Sequence, residues 1–257
     1  MYGINLMGIL PLRSEASEES EQLTQILFGE YFRVDEWLEK WVHIENMRDG
    51  ERGWIDRKMM TSIDEDVFSR LCDTSQLVSS VPFAYAMTDK NERIPLTGGS
   101  VLPFYDVEKE SMSIGGRNIM FSRTNVAIDT ANIDFVSAAL AFLHSPYLWG
   151  GKNVMGIDCS ALVQVAASMC GVLLPRNSRQ QVMIGQQINF LSEAQRGDLV
   201  FFDHEDGKIS HVGILLNNHE VLHASGEVHI APIDHYGIRS VFTGNYSHAL
   251  RAIRRII

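Results

Sequence analysis

The sequence has no run of about 20 consecutive apolar residues, the length that a membrane-spanning helix requires. Its first residues lack the basic and apolar segments of a signal peptide, so we expect a cytoplasmic protein, or a periplasmic or cell-envelope protein if an export signal has been removed. Positive charge is scarce as well, because 22 Lys and Arg against 32 Asp and Glu give a formal net charge of −10. Nucleic acids and anionic membranes bind basic surfaces, so neither is an expected partner.

Cysteine is also rare. The chain has three cysteines, Cys72, Cys159 and Cys170, and their odd number and wide spacing argue against a disulfide framework. Cys72 and Cys170 are predicted to be small buried hydrophobic residues, which most free cysteines are. Cys159 is different, because Asp158 and Ser160 flank it where a glycine-bearing loop is expected to turn into a helix. That setting favours a nucleophilic thiol over a core residue.

The rest of the composition, 45% hydrophobic over 257 residues, is that of a globular protein. The patterning divides the chain into three blocks, residues 1–63, 64–127 and 128–257. The first two combine short strand-like runs with glycine-containing turns, which indicates two small all-β SH3-like barrels. Their predicted strands are residues 3–10, 31–37, 40–45 and 53–56, then 83–88, 94–96, 101–105 and 118–122, with a short helix or an extended loop around 19–28.

The third block has a different pattern of apolar residues. Its apolar spacing predicts helices over residues 132–143 and 159–170, and strands follow over 197–202, 211–216 and 220–224. Helices followed by an antiparallel sheet are typical of an α+β arrangement. The predicted fold class is therefore α+β, with this block after two all-β barrels.

Cys159 is expected in the first turn of its helix, where unpaired amide groups and the helix dipole favour an anion. A nearby imidazolium would add to this effect, so we predict a lowered thiol pKa and a thiolate nucleophile. His211 opens a strand and could accept the thiol proton and later protonate a leaving amine. His223 lies on the next strand and could orient the His211 ring if the register brings them together. Gly213 is expected to leave room beside His211 for substrate or for the helix.

Zinc binding is the alternative use of the same three residues. Cys159, His211 and His223 are acceptable ligands, but the interval of twelve residues between the histidines is not a compact ligand spacing, and no fourth ligand stands out. No metal or other cofactor is therefore expected. The other histidines have no comparable context and are expected in the core or at the surface: His43, His144, His204, His219, His229, His235 and His248.

Six motifs follow one another in the third block: PYLWGG at residues 146–151, DCS at 158–160, PRNSRQQ at 175–181, GDLVFF at 197–202, HVGI at 211–214 and HAS at 223–225. Together and in this order they resemble the NlpC-type cysteine peptidases. The resemblance implies a papain-like fold, cleavage of bacterial cell-wall peptides, and a catalytic triad made of Cys159, His211 and His223.

Residues 12–13 and 20–30 resemble the first SH3-like domain of γ-D-glutamyl-L-diamino acid endopeptidases, which release L-Ala-γ-D-Glu from muropeptides whose L-Ala amine is free. The resemblance implies the same cleavage in peptidoglycan recycling, with the SH3-like domain as a lid on the cleft. We expect a monomer whose partner is the muropeptide substrate. The resemblance also implies a set of residues that line the cleft: Tyr147, Trp149, Asp158, Ser160 and Ser178.

A free substrate amine needs an opposite charge, because a buried ammonium is costly without a carboxylate. By the same resemblance Asp158 and Glu21 are the expected carboxylates, and Tyr147 is expected to help hold the oxyanion. The family also uses a tyrosine of the first barrel at this amine site, and none occurs in residues 49–54, where it is expected. The alternatives are that Glu21 is a solvated surface residue and that Tyr147 and Trp149 are core aromatics.

Two other functions compete with this interpretation. The first is an N-acetylmuramoyl-L-alanine amidase or a D,L-endopeptidase that acts on intact peptidoglycan. The second is a non-catalytic cell-wall-binding module. The intact set of Cys159, His211 and His223 argues against the second.

Overall fold

The computed structural model describes residues 1–203 and 207–256 and divides into two compact units, Met1–Thr130 and Ala131–Ile257. None of the helices in the described ranges is long and apolar enough to span a membrane. The predicted boundary between residues 63 and 64 falls inside the N-terminal unit. That division into two barrels therefore stays a prediction.

The N-terminal unit begins with an antiparallel sheet of seven strands in the order β3-β2-β6-β5-β4-β1-β7. Strands β5 and β6 alternate between buried and more exposed side chains, and in β5 Val42 and Ile44 are fully buried. Residues 19–28 contain no helix, because β3 pairs with β2 there and buries its last four side chains. The strands are β1 (Tyr2–Ile4), β2 (Ile9–Arg13), β3 (Gln22–Leu27), β4 (Tyr31–Trp37), β5 (Trp41–Asn46), β6 (Arg52–Asp56) and β7 (Thr61–Ile63), with a 3-10 turn at Arg57–Met59.

The second part of this unit begins with a helix that the sequence did not predict, α1 (Glu65–Asp73), whose N-terminus is capped by the Asp64 carboxylate. A four-stranded sheet in the order β10-β9-β13-β12 and a two-stranded pair, β11-β8, follow. Ile4 and Phe28 of the first part pack in one core with Leu96 and Ile119 of the second. The strands are β8 (Leu77–Val78), β9 (Phe83–Thr88), β10 (Arg93–Thr97), β11 (Val101–Leu102), β12 (Ser111–Ile114) and β13 (Arg117–Met120).

The C-terminal unit packs helices against an antiparallel sheet of seven strands in the order β16-β22-β17-β18-β19-β20-β21. Helix α3 is buried along its whole length, and it shares a core with Phe201 and Ile214 of the sheet. It ends at Met169, and Gly171, just beyond the helix, has a φ of 79°, which suits glycine. The helices are α2 (Phe135–Leu140), α3 (Cys159–Met169) and α4 (Ser178–Gln181), with a 3-10 turn at Leu191–Glu193. Two more 3-10 turns precede them, Arg123–Asn125 in the N-terminal unit and Thr130–Asn132 at the boundary of the units.

The last strand of the C-terminal sheet was not predicted. β22 lies between β16 and β17 and also pairs with β21. The remaining strands are β14 (Lys152–Asn153), β15 (Gly156–Ile157), β16 (Gln186–Ile188), β17 (Leu199–Asp203), β18 (Ile209–Asn217), β19 (Glu220–Ser225), β20 (Glu227–Asp234), β21 (Gly237–Arg239) and β22 (Tyr246–Arg255). β-Rich sheets followed by a helix-and-sheet unit confirm the predicted α+β class.

Candidate active site

Cys159 is the first residue of α3 and is 7% exposed. Asp158 caps this helix, because its carboxylate accepts a hydrogen bond from the Ala161 amide at 2.8 Å. The backbone amides of Ser160 and Val212 lie near the thiol sulfur and favour its thiolate form. Since Val212 follows His211 directly, this contact places the sulfur beside the strand segment that carries His211.

The environment of the thiol differs from the expected one. The pKa of Cys159 is raised to about 12, because burial and then the Asp158 carboxylate raise it by more than the Val212 amide, the Arg176 guanidinium and the Ser160 amide lower it. The predicted lowering is therefore wrong, because desolvation outweighs the helix terminus. A thiolate at this position needs a base that takes the proton within the site.

His211 and His223 form a direct pair. Nε2 of His211 lies 2.9 Å from Nδ1 of His223, and the rings meet nearly at a right angle, 85°, with centroids 5.1 Å apart. In the hairpin of β18 and β19, His223 pairs with Gly213, so the two histidines are diagonal neighbours. The expected role of Gly213 is wrong, because Val221 and His223 occupy the space beside it: a Cβ atom there would lie 2.5 Å from Val221 Cγ2 and 3.3 Å from His223 Cβ.

The pairing determines where the protons lie. His223 is 2% exposed, and burial, followed by the nearby His229 and His248, lowers its pKa to about 3, so it stays neutral. Because Nε2 of His211 faces His223, Nδ1 is the atom that can accept the thiol proton. In that tautomer Nε2–H donates to His223 Nδ1, and the His223 proton is on Nε2. That Nε2 atom is buried, and it has no hydrogen-bond partner among the described residues.

Two histidines that the sequence left unassigned contact this pair. The His248 ring stacks on His211 with centroids 4.2 Å apart and planes 28° apart, and the His229 ring lies 4.5 Å from His223. His248 lies on the unpredicted strand β22, so no sequence signal indicated its position. His204 lies outside the described residues. In the part of the chain that the structure describes, no group of three or more His, Cys, Asp or Glu could hold a metal ion.

Asp158 is adjacent to Cys159 but is fully engaged by the protein. Its carboxylate accepts bonds from the amides of Gly150 and Ala161 and from the Ser160 hydroxyl, and the Arg176 guanidinium binds it through both terminal nitrogens, at 3.0 and 2.5 Å. Asp158 and Arg176 are 5% and 2% exposed. The predicted binding of a substrate amine by Asp158 stays a prediction. It would depend on the negative charge of the Asp158 carboxylate, which Arg176 neutralises.

The structure brings Tyr147 and Ser160 into the Cys159 neighbourhood. Burial, and then the charges of Cys159 and Asp158, raise the pKa of Tyr147 to about 12, so its hydroxyl remains a proton donor at neutral pH. The Ser160 hydroxyl accepts a hydrogen bond from Arg176 at 2.8 Å and donates one to Asp158.

The other predicted cleft residues are more scattered. Ser178 is buried at the start of α4, and Trp149 is 61% exposed, so it is not a core aromatic. Glu21 belongs to the N-terminal unit, where it precedes β3 with an exposed side chain. The substrate roles of these three residues stay predictions.

The remaining cysteines were predicted to be buried. Cys72 is exposed, so that prediction is wrong for it. Cys170 is half-buried, packs against the α3 core, and directs its thiol to the Ile133 carbonyl at 3.4 Å.

Comparison with known proteins shows which protein family has these catalytic-site motifs. Residues 144–250 match the NlpC/P60 family, and residues 12–59 match the bacterial dipeptidyl-peptidase Sh3 domain. The chain is an NlpC/P60 cysteine peptidase with an N-terminal bacterial SH3 domain. This NlpC/P60 peptidase therefore has the papain-like catalytic fold and the peptidoglycan-peptidase class that its motifs implied.

Alignments with several relatives cover most of this NlpC/P60 peptidase. Gamma-D-glutamyl-L-lysine dipeptidyl-peptidase of Bacillus subtilis is 29% identical over 220 residues, which are 78% of this chain and 71% of the relative. Dipeptidyl-peptidase 6 of Lysinibacillus sphaericus is 27% identical over 262 residues, 91% of this chain and 92% of the relative. A crystal structure of an NlpC/P60 family protein from Bacillus cereus superposes with a TM-score of 0.82 at 18% identity and covers 99% of each chain, which shows the shared fold.

Proposed function

We propose that this peptidase hydrolyses the γ-D-Glu–diamino acid bond of muropeptides with a free N-terminal L-Ala and releases L-Ala-γ-D-Glu in peptidoglycan recycling. The observation that carries the proposal is the combination of a bacterial dipeptidyl-peptidase Sh3 match with an NlpC/P60 match in one chain. The relatives named dipeptidyl-peptidases align with 78% to 91% of the chain.

The geometry supports acyl transfer by a thiol. Cys159 gives its proton to Nδ1 of His211, and the thiolate attacks the γ-carbonyl carbon of D-Glu, so that the carbonyl electron pair moves onto oxygen. Tyr147, protonated because of its raised pKa, can donate a hydrogen bond to that oxyanion. The His211 imidazolium then protonates the leaving amine of the diamino acid as the carbon–nitrogen bond breaks.

Water completes the reaction. The thioester that remains on Cys159 is attacked by a water molecule whose proton passes to His211, and the second tetrahedral intermediate collapses to the carboxylic acid and the thiol, which regains its proton from His211. His223 keeps His211 in the tautomer that both steps require. Because His223 stays neutral, the proton taken from Cys159 ends on His211.

Glu21 is the carboxylate that we propose for the substrate amine. Arg176 already pairs with Asp158, so an additional ammonium at Asp158 would have to compete with a buried guanidinium. We therefore expect Glu21→Gln to raise KM for the free tripeptide more than it lowers kcat.

A cleavage assay on matched tripeptides tests the proposal. L-Ala-γ-D-Glu-diaminopimelate and L-Ala-γ-D-Glu-L-Lys are each offered with a free and with an acetylated amine, and the products are identified by mass spectrometry. The expected result is release of L-Ala-γ-D-Glu from the free forms only, because acetylation removes the ammonium charge that the proposed carboxylate, Glu21, would pair with. Equal turnover of free and acetylated peptides would overturn the proposal.

The competing function is cleavage of intact peptidoglycan. A bifunctional muramidase/DL-endopeptidase of Bacillus subtilis is 38% identical, but over 40% of this chain only. Release of peptides from purified cell walls, with no cleavage of free tripeptides, would favour this function.

A further inference from the structure

The position of the proton on the His223 ring decides whether His211 can act as a base. When His223 carries it on Nε2, its Nδ1 atom accepts a bond from Nε2–H of His211, and Nδ1 of His211 has no proton and can take that of the thiol. When His223 carries it on Nδ1, it donates to Nε2 of His211, and the His211 proton then occupies Nδ1. This second arrangement is inactive, because the nitrogen that would take the thiol proton already has one.

The active arrangement places an N–H group of His223 in a buried position. His223 is 2% exposed, and its Nε2 atom has no hydrogen-bond partner among the described residues. A polar group that lies next to this atom therefore biases the catalytic pair. An acceptor favours the active arrangement, in which Nε2 carries the proton, and a donor favours the inactive one.

The surroundings of His223 offer this acceptor from one direction. Toward the interior of the sheet, the next side chains on the same face are apolar and fully buried: Leu215 on β18, Val221 on β19 and Ala231 on β20. The ring of His229 is closer, because His229 pairs directly with His223 across β19 and β20, and the ring centroids are 4.5 Å apart. The His248 ring is farther from His223, at 5.8 Å.

His229 presents an acceptor nitrogen in its uncharged form. Its side chain is buried, and its Nδ1 atom lies 3.0 Å from the backbone carbonyl oxygen of Glu227. A carbonyl oxygen can only accept, so Nδ1 carries the proton of the His229 ring and Nε2 carries none. The Phe242 ring packs against His229 with centroids 5.4 Å apart and limits the movement of this ring. His229 is therefore suited to favour the active arrangement.

We propose that His229 is a positioning residue: its Nε2 atom accepts the Nε2–H of His223 through one water molecule and so keeps the catalytic pair in the active tautomer. Buried waters commonly bridge polar groups that no side chain reaches, and a bridged bond is nearly as favourable as a direct one. Donation then runs in one direction, from His211 to His223, to the water and to His229. The inference rests on the cysteine-peptidase chemistry and not on the identity of the muropeptide.

Substitutions at position 229 separate the acceptor from the ring. His229→Phe and His229→Leu both remove the acceptor, the first with an aromatic ring and the second without one. His229→Gln supplies an amide oxygen as a replacement acceptor. His219→Ala, at the exposed turn between β18 and β19, is the matched control that removes a histidine elsewhere. Melting temperatures and circular dichroism establish which variants fold, and either apolar variant is sufficient for the test.

Nitrogen-15 NMR of protein labelled at histidine measures the tautomer, because a protonated and a bare ring nitrogen have different chemical shifts. The His223 signals are assigned by their loss in His223→Asn. In the unmodified protein we expect the His223 proton on Nε2. In His229→Phe and His229→Leu we expect part of the population to carry it on Nδ1, whereas His229→Gln and His219→Ala should keep it on Nε2. A merely structural role of His229 would not move these signals.

Alkylation of Cys159 by iodoacetamide measures the consequence for the base without a substrate. At pH 7 we expect His229→Phe and His229→Leu to be alkylated about 10-fold more slowly than the unmodified protein, and His229→Gln to stay within about threefold of it. On tripeptides, kcat of the two apolar variants should fall and KM should stay within about twofold. If the unmodified protein cleaves no tripeptide, the proposed substrate fails, but the NMR and alkylation results still decide the role of His229.

Two further variants test rival acceptors. His248→Ala removes another histidine ring that approaches His223. Glu227→Gln removes the carboxylate two residues before His229 and leaves the backbone carbonyl that holds the His229 ring. Both variants should keep the His223 proton on Nε2. A shift to Nδ1 in one of them, with no shift in His229→Phe, would assign the acceptor to that residue and overturn the proposal.

Three results at position 229 itself would also overturn the inference. A folded His229→Phe variant whose His223 proton stays on Nε2, with unchanged alkylation, would show that His229 does not select the tautomer. Slower alkylation with an unchanged tautomer would mean that His229 acts by packing alone. A shifted tautomer with unchanged alkylation would show that the tautomer of His223 does not limit thiolate formation.

Discussion

The Nε2 atom of His211 and the Nδ1 atom of His223 lie 2.9 Å apart, so in the proposed mechanism the other ring nitrogen of His211, Nδ1, takes the proton of Cys159. A side chain at position 223 must therefore accept a hydrogen bond and stay uncharged. His223 meets both requirements, because its ring nitrogen faces His211 and burial holds its pKa near about 3.

Replacement of His223 tests its role as the orienting acceptor. His223→Ala should lower kcat by about 100-fold or more, because His211 loses its tautomer and orientation. His223→Asn supplies an amide oxygen as an alternative acceptor and should retain more activity than His223→Ala. Steady-state kinetics on the free tripeptide measures both, and equal losses in the two variants would contradict the acceptor role.

Thiolate formation by Cys159 should depend on His211. Because burial and the Asp158 carboxylate raise the thiol pKa to about 12, His211→Ala should lower the iodoacetamide labelling rate of Cys159 at pH 7 by about 100-fold or more. Its remaining reactivity should rise steadily with pH, whereas the unmodified protein should be labelled already at pH 6. Peptide mass spectrometry follows the labelling, and the exposed Cys72 is the internal control, with equal rates in both proteins. Rapid labelling of Cys159 in His211→Ala would show that the helix terminus alone activates the thiol.

Gly213→Ala should impair catalysis by displacing His223. The new Cβ atom would lie 2.5 Å from Val221 Cγ2 and 3.3 Å from His223 Cβ, so one strand has to move. We expect kcat to fall by about 10-fold and the free energy of unfolding by about 1–3 kcal/mol. Val221→Ala in the same protein removes the closest obstacle and should restore part of kcat, with Val221→Ala alone as the reference. A fully active Gly213→Ala variant would show that the hairpin tolerates the shift.

The buried pair of Arg176 and Asp158 should matter more to stability than an exposed pair of the same type. Arg176→Met leaves a buried carboxylate unpaired and should cost about 3–5 kcal/mol of unfolding free energy. Arg196→Met breaks the pair with Asp134, in which both side chains are 48% exposed, and should cost less than about 1 kcal/mol. Calorimetric unfolding compares the two variants. A similar cost for both would mean that Asp158 is held by its amide and hydroxyl donors alone.

Local patterns predicted much of the fold. The strand over residues 31–37 coincides with β4, because alternation and turn residues are properties of the segment itself. The helix predicted from residue 159 begins there for a similarly local reason, the Asp158 cap. The strand β22 was missed because its side chains are mostly partly or fully exposed and it lacks a clear apolar alternation, so partners distant in sequence determine it.

The sequence predicted the three central residues of the candidate site, but it did not predict the pKa of its thiol or the ring contacts around its histidines. Motif order and spacing identified Cys159, His211 and His223. The pKa of Cys159 depends on how completely the sheet and helices desolvate it, which no local pattern contains. The stack of His248 on His211 likewise depends on where β22 is inserted in the sheet.

The core of the N-terminal unit limits how this protein can be divided. Ile4 and Phe28 come from the part that precedes residue 64, and they pack with Leu96 and Ile119 from the part that follows. Excision of either part would expose apolar surface that the other now covers. The SH3 portion is therefore not expected to be a portable module: truncations or fusions should keep residues 1–130 together, and we expect this unit to unfold as one cooperative body.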